Sequence, residues 1–151
     1  MKRPRLLLLW LLVLFFGACA CKSEGAELGY STSPMSTRLR IRIGSETFTA
    51  TLLDNPTVTA FRARLPLTVT MVELNGNEKY YELPQSLPTN AANPGTIQAG
   101  DLLLYGSNTL VLFYETFTTS YRYTRLGRID NPTGLAAALG RGNVAVTFEL
   151  Q

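Results

Sequence analysis

A chain of 151 residues has room for one domain with its own apolar core. It has two cysteines and no histidine, so a disulfide framework, Ser-His-Asp or Cys-His catalysis and histidine-ligated metals are all excluded. The formal charge of +3 owes its excess to Lys2, Arg3 and Arg5; without them eleven basic residues balance eleven acidic ones, which leaves no net basic footprint for nucleic acid.

Those three cations open the chain and are followed by Leu6–Phe16, an apolar run of eleven residues, and then by the small residues around Cys19 and Cys21. This order predicts a signal peptide over residues 1–20, and the run is short for a membrane span. Phe16-Gly17-Ala18-Cys19 resembles a bacterial lipobox, which makes Cys19 the expected lipidation site, with Cys21 as the alternative. The expected location is therefore outside the cytoplasm, on a bacterial membrane through a lipid anchor; plain secretion is the alternative. Residues 21–37, rich in Ser, Thr and Gly, read as a flexible tether with a reach of roughly 20–25 Å.

The folded domain is expected over residues 38–151. Leu39, Ile41 and Ile43 alternate with arginines, and Phe48, Ala50 and Leu52 alternate with threonines beyond a Gly44-Ser45 turn, so the domain opens with a β-hairpin whose arginines face solvent. Asn55-Pro56 then starts a short helix, with Val58, Phe61 and Leu65 on one face and Pro66 as its stop, suited to plug a barrel end. Strands follow around Leu67–Met71 and Glu78–Leu83, separated by an Asn75-Gly76-Asn77 turn. The stretch from Pro84 to Gly100 holds three prolines and reads as a long loop, a candidate groove wall.

Leu102–Tyr105 and Thr109–Tyr114 flank Gly106-Ser107-Asn108 as a central hairpin. Neither arm alternates, so both of its faces should be covered. A strand ending at Ile129, a helix over Leu135–Leu139 closed by Gly140, and an alternating strand from Val144 to Leu150 complete the chain. The fold class expected is mainly β, a closed barrel of about eight strands with two short capping helices.

Chemistry is less legible. Gly140-Arg141-Gly142 follows a helix instead of opening one, so no phosphate cradle is present. Glu82, Glu115, Asp101 and Asp130 are the conceivable acid–base carboxylates, yet no spacing favours a pair, and each reads as a turn or surface residue. Tyr80, Tyr81, Phe117 and Tyr121 are the candidate lining of a ligand groove, with Glu82 beside them, because tyrosine offers an apolar face and a polar tip. The expected partner is a proline-containing peptide or a small ligand. No cofactor, metal or nucleic acid is expected.

Asn55–Leu65 resembles the first barrel helix of the cyclophilins, and Leu126–Leu139 is similar to the strand and turn before their second helix. Arg38–Gln151 as a whole resembles the bacterial cyclophilin-like proteins, most specifically in Pro94–Tyr114. The resemblance implies a closed barrel. It also implies where an isomerase would keep its machinery: an arginine on the strand before the long loop, a glutamine, a histidine and an apolar pocket. Tyr81 or Glu82 stands in place of that arginine, Leu110 replaces the glutamine, and there is no histidine. Proline isomerisation has a barrier of about 20 kcal/mol, and without these residues the expected role is a ligand-binding module; a weak proline isomerase, or another enzyme or sensor using the barrel mouth, is the alternative.

Overall fold

A computed structural model of the chain describes residues 37–151. The expected signal peptide, Cys19, Cys21 and all but the last residue of the expected tether lie outside the described residues.

Eight strands close into a barrel. The first hairpin pairs β1 (Arg38–Ile43) with β2 (Glu46–Leu52). The others are β3 (Leu67–Leu74), β4 (Glu78–Glu82), β6 (Asp101–Tyr105), β7 (Thr109–Phe113), β9 (Tyr123–Ile129) and β10 (Val144–Leu150). Around the barrel they run β1-β10-β3-β4-β7-β6-β9-β2, each antiparallel to its neighbours. Closure leaves none of these strands with a free edge, which removes the commonest route to edge-to-edge aggregation.

The alternation predicted for the first hairpin is present. Leu39, Ile41 and Ile43 are buried and Arg38, Arg40 and Arg42 exposed. Glu149 on β10 accepts ion pairs from Arg40 and Arg42, at 3.7 and 2.9 Å. The first helix, α1 (Pro56–Arg62), carries an Asn55 cap whose Oδ1 accepts from the Val58 amide at 2.9 Å. Its buried Phe61 meets Phe148 edge-on, ring centroids 6.1 Å apart, so the helix does plug the core. The chain leaves the helix through a cis Leu65–Pro66 peptide. The second helix, α2 (Leu135–Leu139), buries its two leucines in the same core.

Two short strands were not expected. Within the long Pro84–Gly100 stretch, β5 (Thr96–Ile97) pairs with β8 (Phe117–Thr118) as a separate two-stranded flap. The flap explains why the central hairpin does not alternate. Leu102, Leu104, Leu110 and Leu112 face the barrel interior, while Leu103, Val111 and Phe113 face outward into a second apolar cluster with Ile97 of the flap and Tyr123. Asp101, expected at the surface, is only 2% exposed; it accepts from the Gln98 amide and pairs with Arg128 at 3.2 Å, fixing the corner where the flap joins β6.

The rest of the long stretch is strapped to the barrel. Thr57 donates to the Pro88 carbonyl at 2.7 Å, the Asn90 amide donates to Thr124 at 2.9 Å, and Arg122 donates to the Ala91 carbonyl at 2.6 Å. A mutual pair of backbone hydrogen bonds joins Ala92 to Tyr123.

Candidate functional site

Strand alternation decides which side chains can meet outside the barrel. On β4 the odd positions Lys79 and Tyr81 turn inward, and Glu78, Tyr80 and Glu82 turn outward. Register then sets Tyr80 opposite Val111, Glu82 opposite Thr109, and Tyr105 between Thr109 and Tyr123. The flap covers part of this outer face. Between the flap's trailing segment, Phe117–Tyr121, and the outer face of β4 lies an open groove of about 570 Å³. That volume is in the range of small-molecule sites.

Four of the five residues expected to line a groove do so: Tyr80, Glu82, Phe117 and Tyr121. Tyr81 does not join them. It packs against the barrel core, because a period of two sends neighbouring side chains to opposite faces. Leu110 is likewise interior, between two groove residues, Thr109 and Val111. The Pro84–Gly100 stretch supplies no lining residue to this groove, since its straps hold it along β9 and α1; the wall comes from Phe117–Tyr121 instead.

Aromatic rings run through the site in an unbroken series. Phe117 contacts Phe113 at 5.7 Å between centroids, Phe113 contacts Tyr123 at 5.6 Å, Tyr123 contacts Tyr105 at 5.6 Å and Tyr105 contacts Tyr121 at 6.0 Å. The series starts in the second apolar cluster and ends at the groove mouth, where Tyr105 is 46% and Tyr121 61% exposed. Exposed aromatic surface of this kind marks contact sites more often than solvent-facing sheet does.

The electrostatics are one-sided. Glu78 and Glu82 line the groove, no lysine or arginine does, and neither carboxylate has an ion-pair or hydrogen-bond partner among the described residues. Burial, with the charge of Glu73 behind it, pushes the Glu78 carboxyl up to about 6. Burial and the charge of Glu78 push the Tyr123 hydroxyl up to about 12, so it stays a donor at neutral pH. Asn77 lines the same end, and its Oδ1, shielded from solvent, has no hydrogen-bond partner.

A second polar arrangement lies on the other side of β4. Lys79 is fully buried, with its ammonium donating to Glu73 and to the carbonyls of Gly140 and Gly142, at 2.8 and 2.6 Å. Tyr114 donates to Glu73 at 2.9 Å, and its ring lies 5.6 Å from the ammonium. With all three N–H bonds of Lys79 engaged, this cluster ties the turn after α2 to the β3–β4 hairpin. Among the described residues, no group of three His, Cys, Asp or Glu side chains comes together as a metal site would need.

The family model for the cyclophilin-like family matches residues 41–149. The chain belongs to the cyclophilin-like family. No functionally curated protein matches it. Among solved structures it is similar to the solution structure of a hypothetical protein from Archaeoglobus fulgidus, with a TM-score of 0.53 and 22% identity over 77% of this chain and 95% of that one. At that identity the likeness extends to the cyclophilin-like fold alone.

Sequence reasoning missed Glu78 as part of this site and did not separate Tyr105 and Tyr123 from the barrel wall. The signal was available for Glu78, which shares the parity of Tyr80 and Glu82 along one strand.

Proposed function

We propose that this cyclophilin-like domain is a ligand-binding module, exported and held to a membrane by a lipid on Cys19 or Cys21, whose guest sits in the groove between β4 and Phe117–Tyr121. The single observation that carries the reading is the open groove itself, with Tyr80, Tyr105, Phe117 and Tyr121 on its walls. Tyrosine faces contribute contact area at little cost in side-chain entropy, and their hydroxyls orient a polar guest. The lipobox-like Phe16-Gly17-Ala18-Cys19 supports the anchor.

Proline isomerisation draws support from the family alone. The groove has no cationic side chain to stabilise a twisting amide, and the chain has no histidine. A titration with proline-containing peptides and small metabolites, followed by amide chemical shifts, tests the binding reading. Shifts confined to Tyr80–Leu83 and Phe117–Tyr121 are expected, and silence at both segments for every ligand would count against it.

A further inference from the structure

The groove presents two carboxylates and no counter-charge, and the geometry of β4 fixes how far apart they stand. Glu78 and Glu82 are four residues apart on one outward face, a separation of roughly 13 Å along an extended strand. Tyr80 lies between them on that face, and Tyr105 and Phe117 complete the apolar lining. One small cation cannot touch both ends. An apolar chain carrying a positive charge at each end can.

We propose that the groove binds a linear polyamine, laid along β4 with one terminal ammonium at Glu78, the other at Glu82, and its methylenes against Tyr80, Tyr105 and Phe117. This rests on the reading of the groove as the binding site and names the class of its guest. The Glu78 end is the more demanding of the two. Its carboxylate is partly buried without a cation, and the unpaired Asn77 Oδ1 adds a further acceptor there. An ammonium at that end relieves the repulsion between Glu78 and Glu73, and the tyrosine faces attract it further.

A basic peptide fits less well. Both edges of β4 are already paired, to β3 and β7, so an extended peptide finds no ladder partner for its backbone there. A polyamine carries no backbone carbonyls that need satisfying.

The test is calorimetric titration of the full-length protein, in non-ionic detergent at pH 7.5 and low salt, with spermidine, propanediamine and a lysine-containing peptide. Saturable spermidine binding at one site is expected. Propanediamine, too short to span the carboxylates, should bind at least about tenfold more weakly. Glu78→Gln and Glu82→Gln should each weaken spermidine by about tenfold, and raising the salt should weaken it in the native protein. Glu82 is exposed, so its variant keeps the test independent of folding. Spermidine affinity unchanged from the native protein in either variant, or binding of the lysine peptide but not of spermidine, overturns the proposal. If neutral proline-containing peptides shift the groove amides while spermidine does not, the polyamine is wrong and the binding module stands. If spermidine, the proline-containing peptides and the small metabolites all leave the groove amides unshifted, both readings fall.

Discussion

The Lys79 ammonium, 0% exposed, donates to the Glu73 carboxylate six residues before it, across the β3–β4 turn, and the same ammonium holds the Gly140 and Gly142 carbonyls. One side chain thus connects a hairpin to the turn that follows α2. Removing one partner leaves the other without compensation in a buried setting. Glu73→Gln should therefore destabilise by about 3–5 kcal/mol, the usual cost of stranding a buried charge. Lys79→Met with Glu73→Gln should cost less than Glu73→Gln alone, because no charge is then stranded. Urea unfolding of both variants checks the order; a neutral Glu73→Gln would mean that the two carbonyls suffice for Lys79.

Glu73 and Glu78 make opposite contributions to pH dependence. Burial would raise the Glu73 carboxyl, but hydrogen bonds from Lys79, Tyr114 and the Gly76 amide outweigh it and hold the group below its ordinary value of 4.5. Its contribution is present above pH 4.5 and is lost as pH falls through the lowered folded value. The Glu78 carboxyl is raised to about 6 by burial and by Glu73, so its contribution is present below 4.5 and is lost as pH rises through about 6. Glu73, Tyr114 and Tyr123 are the titratable groups coupled to it. Glu78→Gln should accordingly raise Tm at pH 7.5 and leave it unchanged at pH 4. Thermal unfolding at the two pH values reads this directly, and an equal shift at both would remove the ionisation as the cause.

Gly127 sits where β9 passes β2. A methyl group there would collide with the Thr51 carbonyl oxygen and come within 3.0 Å of the Leu52 Cα, both backbone atoms that cannot step aside. Gly127→Ala should cost about 1–3 kcal/mol, as overpacking of a tight contact does. Chemical denaturation gives the value. An undiminished midpoint would show that the two strands can separate without loss.

Cys19→Ser should abolish incorporation of labelled palmitate in cells and release the protein from the membrane fraction, if Cys19 is the lipidated residue. Retained labelling in that variant, lost only when Cys21 is also replaced, would assign the modification to Cys21. Absence of label in the native chain would remove the anchor.

Phe117 is half-buried and links the flap to Phe113. Phe117→Ala should lower stability by about 1–3 kcal/mol, less than a fully buried phenylalanine, while raising hydrogen exchange first at the flap strands, Thr96–Ile97 and Phe117–Thr118. Uniform exchange across the barrel would argue that flap and barrel open together.

Much of this molecule is written in local pattern. Alternation at Leu39–Ile43 and Val144–Phe148 names the strands and their inner faces, because a strand with one wetted face must repeat every two residues; Leu150, on the same parity, is exposed at the strand's end. Asn55-Pro56 and Gly140 mark helix ends through their own backbone chemistry. What the pattern could not disclose is contact between segments distant in the chain. Thr96–Ile97 and Phe117–Thr118 are too short to show a period, and they become strands only through each other. The groove wall passed to Phe117–Tyr121 because side-chain and backbone bonds strap the long loop elsewhere. Lys79 reads as a surface lysine until the turn after α2, some sixty residues on, brings it two carbonyls. Residue type and spacing set each segment's preference; closing the barrel decided which preferences were met side by side, since that depends on register around the whole ring.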